Sequence, residues 1–292
     1  MSFKKKYAAL VATAAIAALA LSGCSSATDT AAPAGDHKDI KICVYTHGDG
    51  GTFWSVAQKG AEAAAADLGV TLDYQGANND AAKQASTIEA GIAAGCNGIA
   101  SSVPDAGALK GPMLAAKDAG IPTVTMNSGS AVYKELGAFT HVGQDEIIAG
   151  QQAGLKFNEM GVKHVLCPIQ EAANVGLEER CKGLAQTFKG KAENFNLDGG
   201  LADLTAAAAK LQAALTADKT IDAVFALNAD IAAKAVLPAA EAAGVTLKIG
   251  TVDMSPEALD AIEAGTMEFA IDQQQYAQGY MSVVLLYLNL TN

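Results

Sequence analysis

The chain has 292 residues, half of them hydrophobic, which is enough for two ordinary domains that each bury a sizeable core. Its formal net charge is −11 at pH 7, and its one run of lysines, Lys4–Lys6, lies at the extreme N-terminus. An acidic protein with no basic run in its body is a poor partner for nucleic acid, so no nucleic-acid partner is expected.

The N-terminal segment has the pattern of an export signal. Lys4–Lys6 form a positive region, and residues 7–21 are an apolar run that is too short for a comfortable membrane span. The run ends in Leu-Ser-Gly-Cys at 21–24, which resembles the bacterial lipoprotein signal. That resemblance implies that residues 1–23 are a signal peptide and that the thiol of Cys24 is lipidated. A plain secretory signal with an incidental cysteine is the alternative.

A low-complexity segment rich in Ala, Ser, Thr and Asp follows at 24–39. It has no apolar period, which is typical of a flexible tether. An anchor, a tether and a globular body would place the body outside the cytoplasmic membrane, at the cell surface or in the periplasm. The lipid on Cys24 would then be the only contact with the membrane.

One pattern recurs along the body: an alanine-rich helix, a glycine, then a short run of β-formers. Examples are AAAADLGVTLDY at 63–74 and AAEAAGVTLKIG at 239–250. A helix that ends at a glycine and is followed at once by a strand indicates right-handed βαβ crossovers and a parallel sheet.

The predicted elements form two successive series. Strands are expected near 41–46, 70–74, 97–102 and 121–126, then 162–169, 192–197, 221–227, 246–252 and 267–271. Helices are expected near 53–68, 79–94 and 105–118, then 177–189, 203–216, 230–243, 255–264 and 274–290. The fold class is therefore α/β, with two similar doubly wound parallel-sheet lobes and a ligand cleft between them.

The lobe boundaries follow from the two series. The N-terminal lobe is expected at 40–142 and the C-terminal lobe at 143–271. Residues 272–292 are expected to return to the N-terminal lobe. Because no closing strand follows the last helix, the C-terminus is expected to be truncated.

Four cysteines remain in the body, which permits three disulfide pairings in an exported protein. Cys167 ends a predicted strand and Cys181 lies on the next helix, while Cys43 and Cys96 lie at neighbouring strands of the predicted sheet. Pairing of Cys167 with Cys181 and of Cys43 with Cys96 is therefore favoured. None of the cysteines has metal-ligand spacing, so no metal and no cofactor are expected.

The stretch KICVYTHGDGGTFWSVAQKG at 41–60 is central to the functional prediction. It predicts a buried strand, a glycine-rich loop and a helix that opens with Phe53 and Trp54, the only tryptophan. Ligands of parallel sheets bind beyond the carboxyl ends of the strands, which is where this loop lies.

Amide and carboxylate residues follow the ends of the other predicted strands. They are Asn127 and Ser128 after 121–126, Asn228 after 221–227, Asp253 after 246–252, and Gln273 after 267–271. Each alone is commonly a turn or capping residue, but all would face one cleft in the predicted topology. Amides donate and accept hydrogen bonds and aromatic rings stack on sugar C–H faces, so the set suits a neutral polyhydroxylated ligand.

Positions 41–290 resemble the periplasmic binding proteins of the ribose/galactose type. These proteins are the substrate-binding components of sugar ABC transporters. The resemblance rests on GTFWSVAQKG at 51–60, IPTVTMNSG at 121–129, DAVFALNAD at 222–230, TVDMSPEALDAI at 251–262 and FAIDQQQYAQGY at 269–280. It implies a monomer that closes about a hinge on a sugar or polyol and delivers it to a transporter permease. Hinge crossings are implied near 141–143 and 271–273.

The resemblance also implies site residues. The family's stacking aromatics fall on Phe53 and Trp54, and its polar pair in the first lobe falls on Asn127 and Ser128. In the second lobe, its arginine falls near Glu178, and its Asn and Asp fall on Asn228 and Asp253. The hinge Gln falls on Gln273. Further ligand contacts are expected from His47, Asp49 and Asn174. No arginine stands at the matched positions, which argues against ribose and favours a neutral sugar or polyol. No acidic calcium loop is visible.

Other classes of protein fit the chain less well. A ligand-sensing receptor for chemotaxis or signalling would use the same cleft and is the main alternative. A regulator of the lactose-repressor type would need a helix-turn-helix where this chain has its export signal. No catalytic motif or nucleophile–base pair is present, so the chain is not expected to be an enzyme.

Overall fold

The computed structural model describes residues 37–292. The predicted signal peptide, the lipidation site Cys24 and positions 24–36 of the predicted tether lie outside the described residues. Strand structure begins at His37, whose backbone N–H donates to the carbonyl of Gly69 at 3.1 Å. Positions 37–39, which the prediction assigns to the tether, belong to the first strand, and His37 pairs with Val70 of the neighbouring strand. Within residues 37–292 no helix combines the length and the apolar character needed to cross a membrane.

The first sheet is parallel and uses the first series of elements. In chain order these are β1 (His37–Thr46), α1 (Gly51–Leu68), β2 (Val70–Gly76), α2 (Ala81–Ala93), β3 (Gly98–Ser102), α3 (Ala106–Asp118), β4 (Thr123–Met126) and β5 (Thr140–Val142). The strand order is β2-β1-β3-β4-β5. The central strands β3 and β4 are fully buried, as expected for a parallel sheet covered by helices on both faces.

The second sheet repeats this architecture. Its elements are α4 (Glu146–Glu159), β6 (His164–Ile169), α5 (Val175–Thr187), β7 (Lys191–Asn196), α6 (Leu204–Ala217), β8 (Ala223–Ala226), α7 (Ala229–Ile231), a π-helical turn (Ala232–Val236), α8 (Leu237–Ala243), β9 (Lys248–Val252), α9 (Pro256–Glu263) and β10 (Phe269–Ile271). The strands pair in parallel in the order β10-β9-β8-β6-β7. The two parallel sheets confirm the predicted fold class.

The last helix, α10 (Gln275–Thr291), packs against α1 of the first half. The two backbones approach so closely that a Cβ on Gly60 would meet the carbonyl of Tyr276, and one on Gly279 would meet the carbonyl of Ala57. Val283 and Leu286 on this helix are fully buried in the core of the first sheet. The chain therefore crosses from β10 back to the first sheet, and Gln273 lies at that crossing.

Two elements were not predicted from the sequence, β5 and α4. Strand β5 has three partly buried residues, which is too short to give a pattern. Helix α4 carries Gly150 and Gly154, and a Cβ at either position would meet the backbone of α5 or its C-terminal end. Close packing of the two helices thus requires glycine at these positions. The glycines interrupt the hydrophobic period that would otherwise have predicted α4.

Both favoured disulfides are present. Cys43 on β1 is bonded to Cys96 ahead of β3, and Cys167 on β6 is bonded to Cys181 on α5, with Cα–Cα distances of 5.9 and 6.0 Å. Asp73 lies close enough to the first pair to form a possible ligand cluster. The disulfide leaves that cluster no free thiol to bind a metal.

Candidate functional site

A cleft of about 610 Å³ lies between the two sheets, at the carboxyl ends of their strands. This is the position expected for a ligand of a doubly wound sheet, and the volume is within the usual range for small-molecule sites. Its walls come from both halves of the chain. They include His47, Asp49, Phe53, Trp54, Asn127, Asn174, Arg180, Asn228, Asp230, Asp253 and Gln273.

The aromatic wall belongs to the first half. Phe53 and Trp54 lie on the first turn of α1, and the two rings meet edge to face with centroids 4.8 Å apart. The indole also meets the imidazole of His47 edge to face at 4.9 Å. A Cβ on Gly48 would collide with the indole, so glycine at this position allows the loop to pass beside Trp54. The indole is thereby held on three sides.

Asn127 and Asp253 share one local geometry in the two halves. Asn127 directly follows β4 with φ 59°, and Asp253 directly follows β9 with φ 73°. Asn and Asp are the non-glycine residues that best tolerate this left-handed conformation. In each case the left-handed residue turns the chain at the end of the strand and leaves its side chain in the cleft lining.

A chain of amide and carboxylate groups links the two halves. Asn127 Nδ2 donates to Gln273 Oε1 at 3.5 Å, and Gln273 Nε2 donates to Asp253 Oδ1 at 2.6 Å. Asn228 Nδ2 donates to the other carboxylate oxygen of Asp253 at 3.2 Å. Asn228 also caps α7, since its Oδ1 accepts from the backbone N–H groups of Asp230 and Ile231. Asn228 therefore serves both as a helix cap and as part of the cleft wall.

Burial dominates the electrostatics of Asp253. The side chain is 4% exposed, and this loss of solvent raises its pKa to about 7. The positive charge of Arg180 and the hydrogen bonds from Gln273 and Asn228 oppose the shift, while the negative charge of Glu146 adds to it. Asp253 therefore changes protonation state near neutral pH.

Arg180 on α5 is the only arginine in the chain, and it lines the cleft. Its Nε donates to Glu146 Oε2 at 2.6 Å and its Nη2 donates to Glu146 Oε1 at 2.9 Å. Its Nη1 donates to the carbonyl of Leu227 at 2.9 Å. Burial alone would lower the pKa of this guanidinium, but the carboxylate of Glu146, together with the charges of Asp253 and Glu171, raises it overall. The arginine is therefore a charged, fixed donor.

A second set of contacts joins the halves at His47. Its Nδ1 bonds to Ser102 Oγ at 2.8 Å, and its Nε2 lies 3.6 Å from Glu171 Oε2. Asn174 Nδ2 donates to Glu171 at 2.7 Å and lies 3.5 Å from His47 Nε2. Burial would raise the pKa of Glu171, but these hydrogen bonds and the charges of His47 and Arg180 lower it overall.

The rim of the cleft carries a third contact between the halves. Thr52 at the start of α1 donates from Oγ1 to Asp230 Oδ1 at 3.3 Å and from its backbone N–H to Asp230 Oδ2 at 3.4 Å. Lys234 Nζ pairs with Asp230 Oδ1 at 2.8 Å and with Glu257 Oε1 at 3.1 Å. The described chain thus has its two halves in direct polar contact around the cleft.

The structure brings nine of the eleven predicted ligand contacts to the cleft wall: His47, Asp49, Phe53, Trp54, Asn127, Asn174, Asn228, Asp253 and Gln273. Ser128 lies behind the wall, where its Oγ donates to Asn127 and Asn174. Glu178 is on the exposed face of α5 and outside the wall, so the structure does not bring it to the cleft. Arg180, two residues further along the helix, lines the cleft instead.

Arg180 and its partner Glu146 were missed by sequence reasoning. The signal for Arg180 was available, because a lone arginine in a 292-residue chain is unusual. Glu146 carried no comparable signal, since α4 itself was not predicted. Asp230 stood in the motif at 222–230 but was not singled out.

This fold and cleft define a bilobal solute-binding protein. The periplasmic binding protein domain family matches residues 42–292, so the chain belongs to that family, as predicted. Its relatives are solute-binding proteins rather than enzymes.

Several known proteins are similar to the chain. A carbohydrate transporter structure from Acidothermus cellulolyticus, in complex with myo-inositol, is 41% identical, covers 87% of each chain and has a TM-score of 0.83. A putative rhizopine-binding protein of Rhizobium meliloti is 29% identical and covers 79% of this chain and 78% of its own. A xylose/arabinose-binding protein of Sulfolobus acidocaldarius is 24% identical over 87% of this chain and 67% of its own.

Proposed function

We propose that this protein captures a neutral sugar or polyol in its interlobe cleft and delivers it to an ABC importer, with myo-inositol as the first candidate ligand. The observation that carries the proposal is the wall itself, where amides, carboxylates and one arginine from both halves surround an aromatic corner. The solved relative at 41% identity, which holds myo-inositol, supports the choice of ligand.

The wall fits the chemistry of vicinal hydroxyl groups. Each hydroxyl can donate one hydrogen bond and accept others, so it needs acceptors and donors on alternate sides. Asp253 supplies acceptors, while Asn127, Asn228 and Arg180 supply donors. A cyclic polyol also presents apolar C–H groups, which pack on the faces of Phe53 and Trp54.

Arg180 retains capacity for a ligand after its contacts with the protein. A guanidinium has five N–H donors, and three nitrogens of Arg180 each use one donor on Glu146 or Leu227. The remaining N–H groups on Nη1 and Nη2 are available at the cleft wall. Because the guanidinium is paired with a carboxylate, it offers donors without a net positive charge.

Hinge closure completes the proposal. The contacts of Thr52 with Asp230 and of His47 with Glu171 bridge the two halves of the cleft and support closure of the lobes about a hinge. A closed, ligand-loaded form would present one surface to the membrane permease of the importer. In the same proposal the chain acts as a monomer, held outside the cell membrane by a lipid on Cys24.

A thermal-shift screen of the purified protein tests the ligand class. The panel contains myo-inositol, other inositols, linear polyols, pentoses, hexoses, amino sugars, uronic acids, nucleosides and amino acids. A ligand at 100 times its Kd should stabilise the protein by about 2.7 kcal/mol, which raises Tm by several degrees. We expect a shift with at least one neutral sugar or polyol. A shift only with nucleosides or amino acids would contradict the proposal.

A further inference from the structure

Arg180 places a positive charge in a cleft whose proposed ligands are neutral. The guanidinium is 4% exposed, lines the cleft and is permanently charged. An arginine in a closed cleft is the usual means of binding carboxylates and phosphates. A cleft that selects neutral hydroxyl groups must therefore cancel this charge without losing the N–H donors.

Glu146 has the geometry to cancel the charge. Its two carboxylate oxygens accept from Nε and Nη2 of Arg180 at 2.6 and 2.9 Å, which is the bidentate arrangement. Glu146 is 3% exposed and is absent from the cleft wall, so it lies behind the arginine. Gln144 Nε2 donates to Glu146 Oε2 at 2.8 Å and steadies it from its own strand–helix junction.

The helices that carry the pair are held at a fixed separation. A Cβ on Gly150 of α4 would meet the carbonyl of Arg180, and one on Gly183 of α5 would meet the carbonyl of Ile147. The Cys167–Cys181 bond ties α5 to β6 one residue from the arginine. The backbones that position Glu146 and Arg180 are therefore in close contact.

We propose that Glu146 is a positioning and specificity-determining residue that acts through Arg180, fixing which N–H groups face the cleft and making the cleft select uncharged ligands over anions. This inference rests on the proposed function, because it explains how a cleft built around a buried arginine accepts a neutral polyol. Asp253 and Glu171 are the other acids near Arg180, and both line the cleft.

The test compares Glu146→Gln and Glu146→Asp with the wild-type protein. Glutamine removes the charge but keeps the size, whereas aspartate keeps the charge at a shorter reach. Affinities for myo-inositol and for glucuronate, an anionic sugar of similar size, are measured by calorimetry. Glu159→Gln is the matched control, because Glu159 is an exposed carboxylate on the same helix whose partner is Lys156.

We expect Glu146→Gln to shift the affinity ratio of myo-inositol to glucuronate toward the anion by at least about tenfold, because a like-charge penalty is removed. Glu146→Asp should weaken myo-inositol binding but leave that ratio close to the wild-type value. Both variants lose stability if the pair breaks, so the ratio is the deciding readout, and a merely structural role would leave it unchanged in both variants.

The outcomes separate this inference from the proposed function. Equal affinities of the wild-type protein and the Glu146→Gln variant for glucuronate would overturn the role of Glu146, whether or not myo-inositol binds. Tighter binding of glucuronate than of any neutral ligand by the wild-type protein also overturns it. If the wild-type protein binds no neutral sugar or polyol, the proposed function fails, and the glucuronate comparison still decides the role of Glu146.

Discussion

Gln273 donates a 2.6 Å hydrogen bond to Asp253, and through its other amide atom it reaches Asn127 in the opposite lobe. Gln273 lies where the chain returns from β10 to the first sheet, so one side chain connects the crossing segment to both walls of the cleft. A ligand that bonds to Asp253 or Asn127 would thereby contact the same network that spans the hinge. We therefore expect occupancy of the cleft to affect the relative position of the lobes.

The buried carboxyl of Asp253 predicts a particular dependence of stability on pH. The unfolded chain releases this proton near pH 3.8, and the folded chain releases it near pH 7. Between these values the folded state binds more protons, so the contribution of Asp253 to stability falls as pH rises.

Asp253→Asn mimics the protonated form of Asp253, so it should remove the fall in stability that this carboxyl causes as pH rises. Between pH 5 and pH 7.5, the free energy of unfolding of the variant relative to the wild-type protein should rise by about 2 kcal/mol. Urea denaturation of the ligand-free proteins measures both curves. Parallel curves across that interval would show that Asp253 is already ionised at pH 5.

The Glu146–Arg180 pair predicts strongly coupled effects on stability. Removing either partner alone, as in Arg180→Met or Glu146→Leu, leaves an uncompensated buried charge and should cost about 3–5 kcal/mol. The double variant should lose far less than the sum of the two, because no charge is left unpaired. Urea denaturation of the four proteins completes the cycle. Additive losses would mean that the two side chains do not depend on each other.

Trp54 should be an anchor for the ligand. Trp54→Ala is expected to weaken binding by at least about 2 kcal/mol, as truncation of a packed aromatic residue in a binding site commonly does. Tyr276→Ala is the control, because Tyr276 is an exposed aromatic residue on α10 outside the cleft wall. Calorimetric titration measures both. Equal affinities in the two variants would place the ligand elsewhere.

The hydrogen bond from Thr52 to Asp230 should favour the closed form. Thr52→Val removes the hydroxyl but keeps the shape, and it should weaken ligand affinity by about 0.5–1.5 kcal/mol, the usual worth of one such bond. Thr87→Ala removes a comparable hydroxyl from the exposed face of α2 and serves as control. Small-angle scattering without ligand should show a more open Thr52→Val protein. An unchanged radius of gyration and affinity would exclude this role.

Sequence reasoning located the parts of the site that lie at strand ends. Asn127 and Asp253 follow runs of β-formers, and their residue type suits the left-handed turn that each strand end requires. The position of such residues is set locally, by the strand and the residue after it. For that reason they were predictable before any tertiary structure was known.

The parts that were missed depend on packing between elements. Arg180 reaches the cleft from a helix because α5 lies against α4 at glycine positions, and no local pattern specifies that separation. Strand β5 has three residues and is held by pairing with β4 rather than by its own propensity. Glu178 was predicted near the cleft but lies outside its wall, whereas Arg180 lines it, because on a helix a shift of two residues moves a side chain to the opposite face.

Calorimetric titration of the wild-type protein with myo-inositol tests the central claim most directly. The proposal predicts saturable binding at one site per chain, which Asp253→Ala weakens by at least about 2 kcal/mol. The first result would establish a polyol ligand, and the second would locate it in the interlobe cleft. Absence of binding by myo-inositol and by every other neutral sugar or polyol, together with binding of an amino acid or a nucleoside that Asp253→Ala weakens, would contradict the claim.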